Sequence, residues 1–292
     1  MKTKKIILFA FATKDLIRSA ERLKKQAIKL DIYDEIKILN EDSIISDNKK
    51  ILELKKSSKK SRGYGYWFWK PFLILDIMKN LQEGDIIHYL DIGCHLQLDG
   101  IDRFREYLDI VENNNKGILA FQYYSLKENL NLNINFPLRE EFKYTKADLL
   151  DFFSVIDNKE ITNTPQFWAG NFFIKKNDFT INFLNTWLNT IILNPNLIND
   201  TPSIKKNFEG FIENRHDQSV FSILCKKSKV INLSAYECEW AHLDNQRTWI
   251  HLKKKPILAK RDLKYNIIIR FLNRQKKNLN RLKIKLQKNG KK

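Results

Sequence analysis

Acidic, basic and aromatic side chains that could handle a phosphorylated substrate fall in four short stretches of this chain. The run Asp85-Ile86-Ile87-His88-Tyr89-Leu90-Asp91 reads as a buried strand ending in a carboxylate. In open α/β sheets ligands bind beyond the carboxyl ends of strands, and a carboxylate there can hold a divalent cation against a diphosphate. Arg62-Gly63-Tyr64-Gly65-Tyr66-Trp67-Phe68-Trp69-Lys70-Pro71 packs aromatics between two glycines and a proline. Lys70 could meet a diphosphate at the start of the next helix, and Tyr66 or Trp67 could stack on a base or sugar. In Phe167-Trp168-Ala169-Gly170-Asn171 the glycine lets backbone approach a ligand closely. Asp217, in Asn214-Arg215-His216-Asp217-Gln218, opens a helix and could take a proton from a hydroxyl; capping that helix is its plainer role.

Taken in order, these pieces resemble the GT-A nucleotide-sugar glycosyltransferases of the bacterial capsule and lipopolysaccharide type. The resemblance spans about residues 5–256 and includes a late segment, Trp249-Ile250-His251-Leu252-Lys253-Lys254-Lys255-Pro256. It implies a donor site at Asp91, Lys70, Tyr66, Trp67, Gly170, Asn171, His251 and Lys253. Lys146, in the stretch Glu140 to Asp148, joins that set. It also implies an acceptor side at Asp217, His216 and Gln218, with Asp91 and Asp217 as the catalytic pair. The family's Asp-x-Asp is incomplete here, because Gly93 stands where the second Asp would be. A Mn²⁺ or Mg²⁺ ion would then rest on Asp91 with His251, or with His95, which shares a face with Asp91 at period two if the chain stays extended. His95 is otherwise an ordinary loop histidine.

The elements that must position these residues alternate. Ile6 to Phe11 is a continuous apolar run, as in a strand buried on both faces. Leu16, Ile17, Ala20, Leu23, Ala27 and Leu30 recur at helical spacing after Thr13. Strands follow at Ile36–Leu39, Asp85–Asp91, Ile118–Phe121, Phe167–Ile174 and Val230–Leu233. Helices are expected from Lys49, from Pro71 to Leu81, and at Ile101–Val111, Lys146–Phe153, Asp178–Leu193 and Asp217–Cys225. The pattern predicts an α/β fold of the Rossmann-like GT-A kind, a mixed and mostly parallel sheet flanked by helices. The expected divisions are a domain over 1–256, with a donor half to about 120 and an acceptor half from about 121, and a tail over 257–292.

Charge separates the tail from the rest. The 292 residues carry a formal charge of +18. Residues 253–292 hold sixteen lysines and arginines against one acid, Asp262, leaving the remainder close to neutral. Tyr265, Ile268, Leu272, Leu279, Leu282 and Leu286 fall at helical spacing, which describes a basic amphipathic helix suited to an anionic membrane surface. Nucleic acid is the rival partner for such charge, but few aromatics interleave with the basic residues, so no nucleic acid is expected. No apolar run approaches the roughly 20 residues that span a bilayer. The N-terminal apolar run is too short for a secretory signal and leads into a helical pattern. Three cysteines match neither a zinc site nor a disulfide framework. The expected location is the cytoplasm, peripheral at the inner membrane face, with a nucleotide-sugar donor and a glycan or lipid-linked acceptor as partners.

Overall fold

The computed structural model describes residues 4–59, 61–126 and 134–260, together with Gln275. Short helical turns aside, the elements run β1 (Ile6–Phe11), α1 (Ile17–Leu30), β2 (Glu35–Leu39), α2 (Lys49–Ser58), α3 (Trp69–Lys79), β3 (Ile86–Leu90), β4 (His95–Leu96), α4 (Ile101–Asn113) and β5 (Ile118–Gln122). They continue with β6 (Ile134–Asn135), α5 (Ala147–Phe152), β7 (Phe167–Lys175), α6 (Asp178–Leu193), α7 (Asp217–Lys227), β8 (Ile231–Ser234), β9 (Ala241–Leu243), β10 (Gln246–Thr248) and β11 (Ile257–Leu258).

Six strands make the central sheet, in the order β2-β1-β3-β7-β5-β8. The pairings of β1 with β2, β1 with β3 and β5 with β8 are parallel. Strand β7 enters between β3 and β5 antiparallel to both. Strand alternation divides the core. Ile7, Phe9 and Phe11 pack with Ile87, Tyr89 and Phe172 on one face. Leu8, Ala10 and Ala12 pack with Leu90, Phe104 and Phe173 on the other. Both faces being apolar, the strands read as unbroken hydrophobic runs. β9 pairs with β10 and β6 in a small second sheet, and β11 pairs with β4.

Helix ends follow local chemistry. Asn177 caps α6 reciprocally with Thr180, and Asn48 caps α2 through the Lys50 N–H. α3 starts at Trp69, two residues before Pro71, because a proline in the first turn removes an N–H that has no helical partner there. Residues 63–67, in the aromatic segment between α2 and α3, form a left-handed turn. All five have positive φ, from +50° at Tyr64 to +83° at Gly65, and the Tyr66 N–H donates to the Arg62 carbonyl at 2.8 Å. Non-glycine residues pay about 1–2 kcal/mol each for this left-handed conformation. Packing holds the turn in place. Trp69 stacks on Phe11 with ring centroids 3.9 Å apart, and its Nε1 donates to the Gly63 carbonyl. A Cβ at Gly65 would stand 2.2 Å from Ser58 Oγ.

The chain divides after Lys260. Ile257–Leu258, assigned to the tail by composition, is a strand of the first unit, paired with His95–Leu96. The basic helix expected from Tyr265 to Leu286 lies outside the described residues. Among the described residues no helix is long and apolar enough to cross a membrane.

Candidate active site

Asp91 follows the last residue of β3, on the same face as Tyr89 and Ile87, and its N–H donates to the Gly170 carbonyl at 2.8 Å. The turn it opens closes with the Cys94 N–H on the Asp91 carbonyl. Arg22 of α1 pins that turn from behind, donating to the carbonyls of Ile92 (2.9 Å) and Cys94 (2.7 Å). The Tyr89 hydroxyl donates to Asp91 Oδ1 at 2.7 Å. Burial first, then Asp91, pushes that phenol well above its ordinary range, so it stays a donor.

Gly170 meets Asp91 because β7 bulges there against β5. Along β5 the register jumps from Ala120 opposite Phe172 to Phe121 opposite Trp168. The three residues between, Ala169, Gly170 and Asn171, bulge away from β5, with Asn171 opposite Leu90 and Gly170 against Asp91. Such bulges re-aim backbone beside sites. A Cβ on Gly170 would fall 2.3 Å from Trp168 Nε1 and 2.7 Å from Asp91 Oδ2.

The bulge offers its Ala169 carbonyl to Lys70, whose ammonium donates to it at 2.9 Å and to Asp217 Oδ2 at 2.6 Å. The same ammonium lies 4.8 Å from the Tyr89 ring centroid. The two charged side chains are 3% and 4% exposed. Burial pushes the Asp217 carboxyl up to about 6; Lys70 pulls against that rise and Asp91 adds to it. Asp91, Tyr89, Gly170, Lys70 and Asp217 therefore form one group at the carboxyl edge of β3. Two corrections come with it. Lys70 is buried in an ion pair rather than offered to a ligand, and Asp217 is buried in the same pair rather than open to an acceptor.

His216 precedes Asp217 with φ +59° and is buried. Its Nδ1 lies 2.6 Å from the Ile198 carbonyl. From the left-handed turn, Trp67 stacks against it with centroids at 5.7 Å and Tyr66 lies tilted against it at 4.8 Å, and the Tyr66 hydroxyl donates to Asp200. This half-buried aromatic wall stands beside the Lys70–Asp217 pair.

Other expected residues hold structure instead. Asn171 alternates to the opposite face of the sheet from Asp91, where its amide bonds His88 Nε2 at 2.9 Å and Cys238 Sγ at 3.4 Å. Lys146 gives its ammonium to the carbonyls of Asn196, Asn199 and Thr201. Gln218 donates to the buried Gln166. His251 stacks on Tyr236 at 4.1 Å, with Nε2 3.0 Å from the Glu239 carbonyl. Lys253 is exposed, while Lys255 reaches Glu237 at 2.9 Å. His95 lies in β4 with Nδ1 3.2 Å from Gln26 Nε2.

These positions bear on the metal. Among the described residues no three His, Cys, Asp or Glu side chains converge as ligands. Asp217 is engaged by Lys70, and His251 faces the Glu239 carbonyl instead of Asp91. Asp91 accepts from Tyr89, and His251 Nε2 lies on the Glu239 carbonyl.

Sequence reading passed over Tyr89 and Arg22. Tyr89 stood inside a quoted segment, at period two from Asp91. Arg22 gave no comparable signal.

No family model matches the chain, and no curated protein matches it. Among solved structures, it is similar to a glycosyltransferase involved in glycosylation of the major capsid of PBCV-1, at 9% identity and TM-score 0.46, over 90% of this chain and 94% of that one. It is also similar to mouse xyloside xylosyltransferase 1, at 11% identity and TM-score 0.39, over 82% and 87%. A third is the glycosyltransferase GlyE of Streptococcus pneumoniae TIGR4, at 15% identity and TM-score 0.38, over 80% of this chain and 46% of that one.

Proposed function

We propose that this chain transfers a sugar from a nucleotide-sugar donor, UDP-linked in the first instance, to a surface-polysaccharide or lipid-linked glycan acceptor. One observation carries the reading: Asp91 is set at the carboxyl edge of a parallel strand, against a glycine whose missing side chain leaves room beside the carboxylate. That is the place where α/β sheets receive ligands. A half-buried carboxylate fixed by Tyr89 can orient sugar hydroxyls, and the Gly170 bulge lets a sugar ring lie close to backbone.

The Lys70–Asp217 pair sets the field beneath Asp91. Lys70 pairs with Asp217 and holds the Ala169 carbonyl of the bulge in place. Protonating Asp217 removes the counter-charge from Lys70 and loosens the floor of the site. Asp217 on this reading positions the site rather than touching the acceptor. The half-buried rings of Tyr66 and Trp67 offer stacking surface for a base or sugar. The basic residues of 261–292 would hold the enzyme at an anionic, cytoplasmic membrane face, where each nearby Lys or Arg contributes about 1 kcal/mol.

Release of nucleotide from a panel of nucleotide sugars tests the reading. UDP release that disappears in Asp91→Ala supports it. RNA bound tightly with a steep salt dependence, and no nucleotide bound, would replace it with a nucleic-acid-binding role.

A further inference from the structure

The loop that joins α6 to α7 keeps three large apolar side chains in solvent. Ile204 is 97% exposed, Ile212 60% and Phe208 37%. The chain beneath fastens this loop at several points. Asp148, in the first turn of α5, accepts from the backbone N–H groups of Ile204 and Lys205, both at 2.8 Å. Lys205 reaches back to Asp151 of the same helix, and Asn207 Oδ1 accepts from the Ala147 N–H at 2.7 Å. The Phe208 ring lies edge-on to Phe142 with centroids 6.1 Å apart, and the Ile212 N–H donates to the Lys143 carbonyl at 2.8 Å. The main chain is thus anchored while the Ile204 side chain stands outward, forgoing the gain that burial would bring.

Three features say what covers it. The tip is already satisfied: the N–H groups of Ile204 and Lys205 end on Asp148, so moving them into an apolar phase strands no donor there. Lys205 and Lys206 follow the isoleucine directly, against one acid between 203 and 212, Glu209. Long basic side chains beside an apolar tip suit anionic headgroups, with the stems in the interface and the charges in water. The same loop also borders the candidate site, because Asp200 accepts from the Tyr66 hydroxyl at 3.1 Å and lies 3.8 Å from His216 Nε2.

We propose that residues 203–212 dock on the surface of an anionic bilayer, with the Ile204 side chain below the headgroups, and so turn the rim of the site toward the lipid. The use of this contact, delivery of a lipid-linked acceptor, rests on the transferase reading above. One apolar side chain holds a bilayer weakly by itself. The loop therefore orients a protein that the basic residues of 261–292 bring to the surface.

A fluorophore sensitive to polarity, placed on Ile204→Cys in the full chain, tests the docking. Cys94, Cys225 and Cys238 are buried and stay unlabelled. The matched control is Ile28→Cys on α1, where the isoleucine is 60% exposed and its helix packs on the opposite face of the sheet. Vesicles of phosphatidylcholine and phosphatidylglycerol carry a nitroxide on the acyl chain as quencher. The label at 204 should shift to the blue and be quenched, and the label at 28 should do neither. Ile204→Ser should weaken vesicle binding about 10-fold, the order of one aliphatic side chain returned to water, with melting temperature and vesicle-free nucleotide release unchanged. Water-like emission at 204 in vesicle-bound protein overturns the docking. A blue shift at 204 that grows with protein concentration in the absence of vesicles also overturns it, in favour of a second copy as the occupant. A wild type that docks but releases nucleotide from no donor keeps the contact and sinks the transferase reading. A wild type that releases nucleotide but never binds vesicles does the reverse.

Discussion

Replacing Gly170 by alanine places one methyl group where the site has no room. The new Cβ would stand 2.3 Å from Trp168 Nε1 and 2.7 Å from Asp91 Oδ2. Ordinary contact begins near 3.4 Å, so the carboxylate must retreat by about 0.7 Å and the indole by about 1.1 Å. Trp168 is buried near the start of β7, so both the bulge and the Asp91 bond from Tyr89 are strained. Overpacking of this kind costs about 1–3 kcal/mol of stability. A displacement approaching 1 Å at a reacting centre costs on the order of 100-fold in rate. The assay is nucleotide release from the preferred sugar donor, with a thermal melt of the same preparation to separate the two effects. Gly170→Ala should remain folded with a lower melting temperature and lose roughly two orders of magnitude in kcat. A variant that melts lower but turns over within twofold of wild type refutes the placement of Asp91 and Gly170 in the site.

Further outcomes follow from the buried charges and the tail. Lys70→Met leaves Asp217 unpaired and should cost about 3–5 kcal/mol in denaturant unfolding; adding Asp217→Leu should restore most of that stability and none of the activity. In the wild type, kcat/KM should fall as pH drops through about 6, where Asp217 takes up its proton. Any activity left in Lys70→Met should fall away at a higher pH, because the partner that opposed burial is gone. His88, buried against Phe173 with its ring centroid 4.1 Å away, has its pKa lowered by burial to about 3. The unfolded chain binds that proton near 6.5 and the folded chain does not, so stability should decline by up to about 1.4 kcal/mol per pH unit between 6.5 and 3; His88→Phe should flatten the slope. Truncation after Lys260 keeps β11 paired, and should abolish flotation with anionic liposomes; equal flotation of both forms refutes the membrane role.

The sequence made the strands and most helices legible because each carries its own period. The same alternation that buries Tyr89 on one face and His88 on the other also places Asn171 away from Asp91, so its removal from the site could have been read from the register. The Lys70–Asp217 pair could not. Its partners are 147 residues apart, and neither residue's local sequence distinguishes an exposed phosphate contact from a buried ion pair. His251 and Lys146 were misleading for a related reason. A polar side chain near a motif says nothing of the backbone carbonyl that will occupy it: the Lys146 ammonium and His251 Nε2 both go to carbonyls contributed by other segments. The bulge at Ala169–Asn171 depends on β7 having two different neighbours, a property of sheet order and not of the strand's own residues.

Asp91 carries the central claim, and Asp91→Asn tests it most directly because it removes the charge while preserving size and the turn from Asp91 to Cys94. Nucleoside diphosphate release from a nucleotide-sugar panel should be measured for both proteins, with melting temperatures matched. The account predicts slow release by the wild type from at least one donor and a loss of 100-fold or more, on the order of a mispositioned or missing catalytic group, in Asp91→Asn. Equal release by the two proteins would contradict it.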